Sequence, residues 1–74
     1  MKIPTGLYQH YKGKFYKALI TNALHSETRE EYVVYVELYE PYDINVRPAS
    51  MFIEEVDKPE YNWKGPRFKL IKAD

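Results

Sequence analysis

The chain contains no cysteine, which excludes a disulfide framework, a thiolate nucleophile and a zinc site built on sulfur ligands. Its two histidines stand fifteen residues apart, a separation that matches no usual metal-ligand spacing. No stretch approaches the roughly 20 apolar residues of a membrane span, and the N-terminus lacks an apolar segment of signal-peptide length. The sequence therefore predicts a soluble, cytoplasmic protein with no membrane partner, no metal and no cofactor.

Aromatic residues are abundant, with eight Tyr, three Phe and one Trp in 74 residues. A hydrophobic content of 45% argues for a folded globule and against disorder. A chain of this length removes only about 60% of its unfolded surface from water, so its core is small. We expect one domain, residues 1–74, with a core built mainly of large rings.

Alternation of apolar and polar residues predicts short strands along most of the chain. "GLYQHYKGK" and "FYKALITNALH" indicate two strands joined around Gly13, which tolerates the positive φ of a tight turn. In the next strand one alternating set is predicted to face the core: Tyr32, Val34, Val36 and Leu38.

Further short strands are predicted at 44–47 and 67–71, with one helical turn near 48–52. Five or six short antiparallel strands in a chain too small for a sandwich favour an all-β, SH3-like barrel. In such a barrel the first and last strands meet.

Charge is unevenly distributed although the net charge is zero. Residues 1–20 carry four lysines and no acid, and residues 61–74 carry four basic residues against Asp74. If the outer strands pair, lysines from both ends form a positive patch suited to polyanions. The lysines predicted to form it are Lys12, Lys17, Lys69 and Lys72.

The segment "HSET", residues 25–28, combines residue types that occur in nucleophilic triads. Neighbouring side chains of an extended segment alternate in direction, so adjacent residues do not easily form a relay. The favoured interpretation is a turn in which hydroxyls bond nearby backbone groups. A ligand-contacting loop and a catalytic role for His25 are the alternatives.

The segment "YQHYKGKFY" interleaves rings with His10, Lys12 and Lys14, a mixture found in small barrels that stack bases and follow phosphates. The competing interpretation, which we favour, is that alternate rings fill the core while the lysines protect an edge strand. The following proline biases the backbone of Arg47 toward an extended conformation, and its guanidinium could bind a phosphate or carboxylate through two hydrogen bonds. Internal pairing with an acid is the favoured alternative for Arg47, and its candidate partners are Glu27, Glu37 and Glu54.

The ordered motifs "GLYQHYKGKFY", "HSET", "VVYVELY", "VRPASMF" and a final "RF" span residues 6–68. In this order they resemble a small bacterial family, domain-of-unknown-function family 1653 (DUF1653). The resemblance implies a short, mostly β, often stand-alone protein. It implies no reaction, cofactor or ligand.

The sequence thus predicts a small binding module for nucleic acid, a nucleotide or another anionic ligand. The predicted ligand-binding residues are Tyr8, His10, Tyr11, Lys12, His25 and Arg47. One alternative is a protein-interaction adaptor that uses Tyr35 and Tyr39 as exposed anchors. The other is a minimal enzyme built between subunits, with His10 or His25 as general base.

Overall fold

The computed structural model describes residues 2–74 and confirms the all-β class. Seven strands account for most of the chain: β1 (Gly6–His10), β2 (Phe15–Leu24), β3 (Glu31–Glu37), β4 (Ile44–Pro48), β5 (Glu55–Lys58), β6 (Trp63–Pro66) and β7 (Phe68–Ala73). The predicted helical turn is present as α1 (Ala49–Phe52), and a 3-10 turn covers Pro59–Tyr61. Within the described residues no helix is long and apolar enough to cross a membrane.

Five strands form one antiparallel sheet in the order β4-β3-β2-β1-β7, and β5 pairs with β6 in a separate ribbon. The predicted meeting of the first and last strands is confirmed, because Gly6 pairs with Ala73 and His10 with Phe68. In the described residues no ladder joins β4 to β7, so the barrel is partly open. The ribbon brings the strand count to seven; its two four-residue strands are too short to carry a clear alternating pattern.

The turn between β1 and β2 forms around Gly13 as predicted. Gly13 has φ of +101°, its amide donates to the His10 carbonyl at 2.8 Å, and the His10 amide donates to the Lys14 carbonyl at 2.9 Å. The turn therefore fixes the backbone on either side of the His10 ring.

The ten-residue strand β2 does not run straight. Its pairing with β3 shifts register between Ala18 and Ile20 and again between Ile20 and Ala23. Such irregularities bend a strand and increase its twist. The sheet can therefore curve around a cluster of rings on its inner face, which we define as the face that carries Val33 and Tyr35.

The predicted core face of β3 is wrong. Val33 is fully buried and Tyr35 is 5% exposed, whereas Val34 and Val36 lie half-buried on the opposite, outer face and Leu38 is 47% exposed. The set that holds Val34 and Val36 is wholly apolar within β3, whereas the set that holds Val33 and Tyr35 also contains Glu37, so periodicity favoured the wrong face. Contacts with aromatic rings that are distant in sequence decide which of the two faces is buried.

Those rings form the centre of the core. Phe52 of α1 stacks on Phe68 of β7, with centroids 4.2 Å apart and planes 3° from parallel. Tyr8 and Tyr35 pack against Phe52 with centroids at 5.0 and 5.4 Å. Met51, the neighbour of Phe52 on α1, is 44% exposed. The buried apolar residues are Ile3, Tyr8, Ala18, Val33, Tyr35, Ala49, Phe52 and Phe68.

Candidate anion-binding site

Polar side chains converge on Phe68 at the position where β1 ends and β7 begins. The His10 ring lies edge-on to the Phe68 ring at 4.8 Å, and Arg47 Cζ lies 5.7 Å from the same ring centre. His10 pairs with Phe68 across β1 and β7, and Arg47 pairs with Val33 across β3 and β4. We call His10, Arg47 and Arg67 the Phe68 site.

Arg47 reaches the site from β4 along the inner face. Its Nε donates a long hydrogen bond of 3.4 Å to the Tyr35 hydroxyl, and its guanidinium lies near the Phe68 ring in a cation–π contact. Among residues 2–74 it has no ion-pair partner. Most of its N–H donors therefore remain available.

The prediction that Arg47 pairs with an internal acid is wrong for each candidate: Glu27, Glu37 and Glu54. Glu54 binds Arg67 instead, with Oε1 2.7 Å from Nη2, and Glu37 accepts a 3.1 Å hydrogen bond from Asn45. Glu37 lies four residues along β3 from the position opposite Arg47, a separation of about 13 Å. Glu27 belongs to the turn at the far end of β2. The register of the strands, which is set by long-range pairing, places these acids away from Arg47.

Arg67 belongs to the site but was not singled out as a binding residue in the sequence; its only signal was the "RF" motif. Its amide donates to the Glu54 carbonyl at 2.7 Å, and its carbonyl accepts from the Tyr11 amide at 3.2 Å. The side chain is 21% exposed. Its Nε is buried and has no hydrogen-bond partner. Buried donors are nearly always paired, so a buried Nε without a protein partner is unusual.

His10 contributes a neutral ring to the site. Its Nδ1 accepts a 3.2 Å hydrogen bond from the Lys12 amide, so in the neutral ring the proton lies on Nε2, a donor. Burial, and then the positive charges of Arg47, Arg67 and Lys12, lower the pKa of His10 from 6.5 to about 4. The ring is therefore uncharged near neutral pH, surrounded by cations that favour an anion.

The lowered pKa of His10 makes stability depend on pH. Between pH 6.5 and about 4 the unfolded histidine binds a proton that the folded one does not, so the free energy of unfolding should fall as pH falls through this window. The site is partly exposed, so after allowance for solvent screening we expect a loss of about 1–2 kcal/mol. Urea unfolding across this window should show the loss in wild type and a flatter curve in His10→Gln. Parallel curves would contradict the assignment.

Rings and lysines extend the site outward. Tyr11 packs on His10 with centroids 4.2 Å apart and contacts Tyr61 at 5.4 Å. Lys58 Nζ lies 5.4 Å from the Tyr11 ring centre. Tyr61 is 46% exposed, so this strip of rings is open to solvent beside the donors of the Phe68 site.

The structure brings four of the six predicted binding residues to one region: His10, Tyr11, Lys12 and Arg47. Tyr8 lies beneath them, 3% exposed, and its hydroxyl donates to the Pro4 carbonyl at 2.7 Å. Its ring fills the core in this fold and is covered from a stacking ligand. The interpretation that alternate rings of this segment fill the core therefore holds for Tyr8 but not for Tyr11.

His25, the sixth predicted residue, lies past the far end of β2, about 30 Å of strand from the start of β2. Its Nδ1 accepts from the amides of Glu27 and Thr28 at 3.2 and 3.3 Å. Thr28 Oγ1 accepts from the Glu30 amide at 3.3 Å. The segment forms the predicted turn, and Thr28 makes the predicted hydroxyl bond, but among the described residues Ser26 makes none; the His25 ring holds the turn as well.

The predicted patch of four lysines is divided by the fold. Lys17 and Lys72 flank Leu7 on the outer face, away from the Phe68 site. Lys17 is already paired with Asp74, with Nζ 2.5 Å from Oδ1. Lys69 lies opposite Gln9, in the outer-face row that also holds Phe15. Of the four, only Lys12 lies at the site.

The adaptor alternative loses one of its two anchors. Tyr35 is 5% exposed and belongs to the core, so the prediction that it is exposed is wrong. Tyr39 is half-buried, and its hydroxyl lies 2.5 Å from that of Tyr16. A hydrogen-bonded, half-buried ring offers little free surface to a partner.

A depression of about 720 Å³ lies elsewhere on the described surface, between the N-terminal segment and β2. Its lining is mixed in charge, with Lys2 and Glu31 both present. Hydrogen-bond donors converge at the Phe68 site and not in this depression. We therefore choose the candidate binding site by its donors and not by its volume. Within residues 2–74 no three His, Asp or Glu side chains are grouped to hold a metal ion.

Comparison with known proteins confirms the family that the sequence resembles. The family model described as "Protein of unknown function (DUF1653)" matches residues 6–70. The chain belongs to the DUF1653 family. A crystal structure of a DUF1653 protein from Bordetella bronchiseptica is similar, with 33% identity, a TM-score of 0.84, and coverage of 99% of this chain and 92% of that one. No curated protein matches the chain.

Proposed function

We propose that this DUF1653 protein is a binding module that holds the phosphate or carboxylate group of an anionic ligand at the Phe68 site. The observation that carries the proposal is a surplus of donors without acceptors. Arg47 has no acidic partner among the described residues, and Arg67 Nε is buried and unpaired. Two guanidinium groups and a neutral imidazole N–H suit an anion better than any other class of ligand.

The rings beside the donors favour a nucleotide phosphate or a short single strand within that class. Tyr11 and Tyr61 offer partly open aromatic surface next to the arginines. Bases stack on such rings with about 1–3 kcal/mol each, irrespective of sequence. Lys12 and Lys58 would contact further phosphates.

The lowered pKa of His10 favours a binding role over a catalytic one. A general base works best when its pKa lies near the operating pH, whereas the pKa of His10 is about 4. The ring is therefore suited to donate a hydrogen bond from Nε2 to a bound oxygen.

The proposal is tested by following side-chain N–H signals of both arginines by NMR while sulfate, AMP or a short single-stranded oligonucleotide is added. Arg47→Gln should weaken binding by roughly 10- to 100-fold, because hydrogen bonds to charged groups are worth about 1.5–3 kcal/mol. The matched control is Lys69→Gln, which removes one exposed positive charge on the outer face and should have little effect.

Equal losses of affinity in Arg47→Gln and Lys69→Gln would mean that anions are attracted by long-range electrostatics alone and not by a defined site. Absence of any shift at Arg47 and Arg67 with all three probes at low salt would rule out the site. A response to AMP and the oligonucleotide that exceeds the response to sulfate would support the contribution of the Tyr11 and Tyr61 rings.

A further inference from the structure

The strand β4 is an unprotected edge of the main sheet. It is the last strand in the order β4-β3-β2-β1-β7, and no described strand pairs with its other side. Ile44 and Val46 project from its outer face with 65% and 63% of their surface exposed. Its pairing with β3 is regular, without the bulge that twists many edges away from partners.

The opposite edge of the same sheet is different. Strand β7 carries the exposed residues Lys69 and Lys72, the side chains with which natural proteins blunt an edge. Strand β4 has no lysine, and its proline, Pro48, stands at its last position. One edge is thus guarded and the other is open.

The ladder fixes which backbone groups β4 offers. The Glu37 amide donates to the Asp43 carbonyl at 3.0 Å, so Asp43 and, by alternation, Asn45 direct their backbone groups toward β3. Ile44 and Val46 direct theirs toward the free edge. The same two residues therefore present open N–H and C=O groups and exposed apolar side chains.

We propose that a second copy of this chain pairs with this edge, β4 against β4 in antiparallel orientation, with the twofold axis at Asn45. In this register Ile44 of one copy faces Val46 of the other, and the two pairs exchange four backbone hydrogen bonds. The pairing extends two five-stranded sheets into one of ten strands, and it places the exposed apolar side chains of both copies side by side.

Charge and backbone chemistry select this register and a partner identical to the chain. With the axis at Asn45, Asp43 of one copy falls opposite Arg47 of the other, so no like charges face each other across the edge. An axis at Val46 would place Ile44 opposite Pro48, which has no N–H to donate. An axis at Ile44 would bring in Tyr42, whose φ of +61° does not continue a strand.

The dimer should be weak and concentration-dependent. A contact limited to one strand is small beside the about 800 Å² per partner of a standard interface. Sedimentation equilibrium from about 10 μM to about 1 mM should show a monomer–dimer equilibrium. Val46→Lys should weaken it at least about tenfold, since a lysine guards an edge. The matched control is Ile71→Lys on β7, where Ile71 is 45% exposed, and it should leave the equilibrium unchanged.

Amide exchange in the wild-type protein gives a readout that needs no variant. The amides of Ile44 and Val46 should exchange more slowly as the protein concentration rises, whereas the Asn45 amide, already directed toward β3, should not change. A protein that stays monomeric throughout the range would overturn the proposal and leave the edge to a different partner. A dimer unaffected by Val46→Lys, with fast exchange at Ile44 and Val46, would overturn it as well.

Discussion

Replacement of Phe52 by alanine is expected to remove a large share of the free energy of unfolding. Phe52 is fully buried and stacks on Phe68 at 4.2 Å. Loss of a buried phenylalanine costs about 3–5 kcal/mol through lost burial and the cavity left behind. A chain of this length has a total stability of about 4–11 kcal/mol, so the substitution removes a large share of it.

Chemical unfolding of Phe52→Ala and of Met51→Ala gives a matched comparison, because both residues lie on α1. Met51 is 44% exposed, and its truncation should cost about 1 kcal/mol or less. A loss for Phe52→Ala no larger than that for Met51→Ala would mean that α1 does not close the core.

The outline of this fold could be read from local pattern, whereas its interior could not. Alternation and Gly13 predicted the first hairpin, and "PASMF" predicted the helical turn, because both depend on neighbouring residues. The choice between Val33 and Val34 as the core residue depends on rings contributed by α1 and β7. The local pattern does not carry that information, because the buried face of β3 also holds Glu37 and the outer face is the more apolar of the two.

The site shows the same division. His10, Tyr11 and Lys12 lie together because they are adjacent in sequence, and the sequence singled out Arg47 by its proline and apolar neighbours. Arg67 was not singled out, because its buried Nε without a protein partner is visible only in the folded chain. The acidic partner expected for Arg47 failed for a similar reason, since register separates the charges.

The core and the candidate site share one residue, Phe68. Its ring stacks on Phe52 on one side and contacts His10 and Arg47 on the other. A substitution at Phe68 would therefore disturb stability and binding together. Arg47 and His10 lie at the margin of the core, so their replacement should affect binding more than stability. Arg47 is therefore the residue to replace in a binding test.

Replacement of Gly6 by alanine is expected to cost about 2–6 kcal/mol, a sum of backbone strain and overpacking. Gly6 has φ of +144°, and a Cβ there would lie 2.3 Å from the Lys72 carbonyl oxygen and 2.9 Å from the Ala73 Cα. Both are backbone atoms of β7, so the side chain cannot be accommodated by a rotamer change. The strand itself would have to move, and the pairing of β1 with β7 would weaken.

Gly13→Ala separates strain from collision. Gly13 also has positive φ, +101°, but a Cβ there would meet nothing within 4 Å. Its replacement should cost about 1–2 kcal/mol, the strain alone, and leave exchange protection of β7 amides in place. Gly6→Ala should lower the unfolding midpoint further and speed amide exchange in β7, because a strand displaced from β1 loses its ladder. Equal losses of stability in Gly6→Ala and Gly13→Ala would show that β7 can move away from a Cβ at position 6 without an energetic penalty. The close approach of Gly6 to β7 would then not hold the terminal strands together.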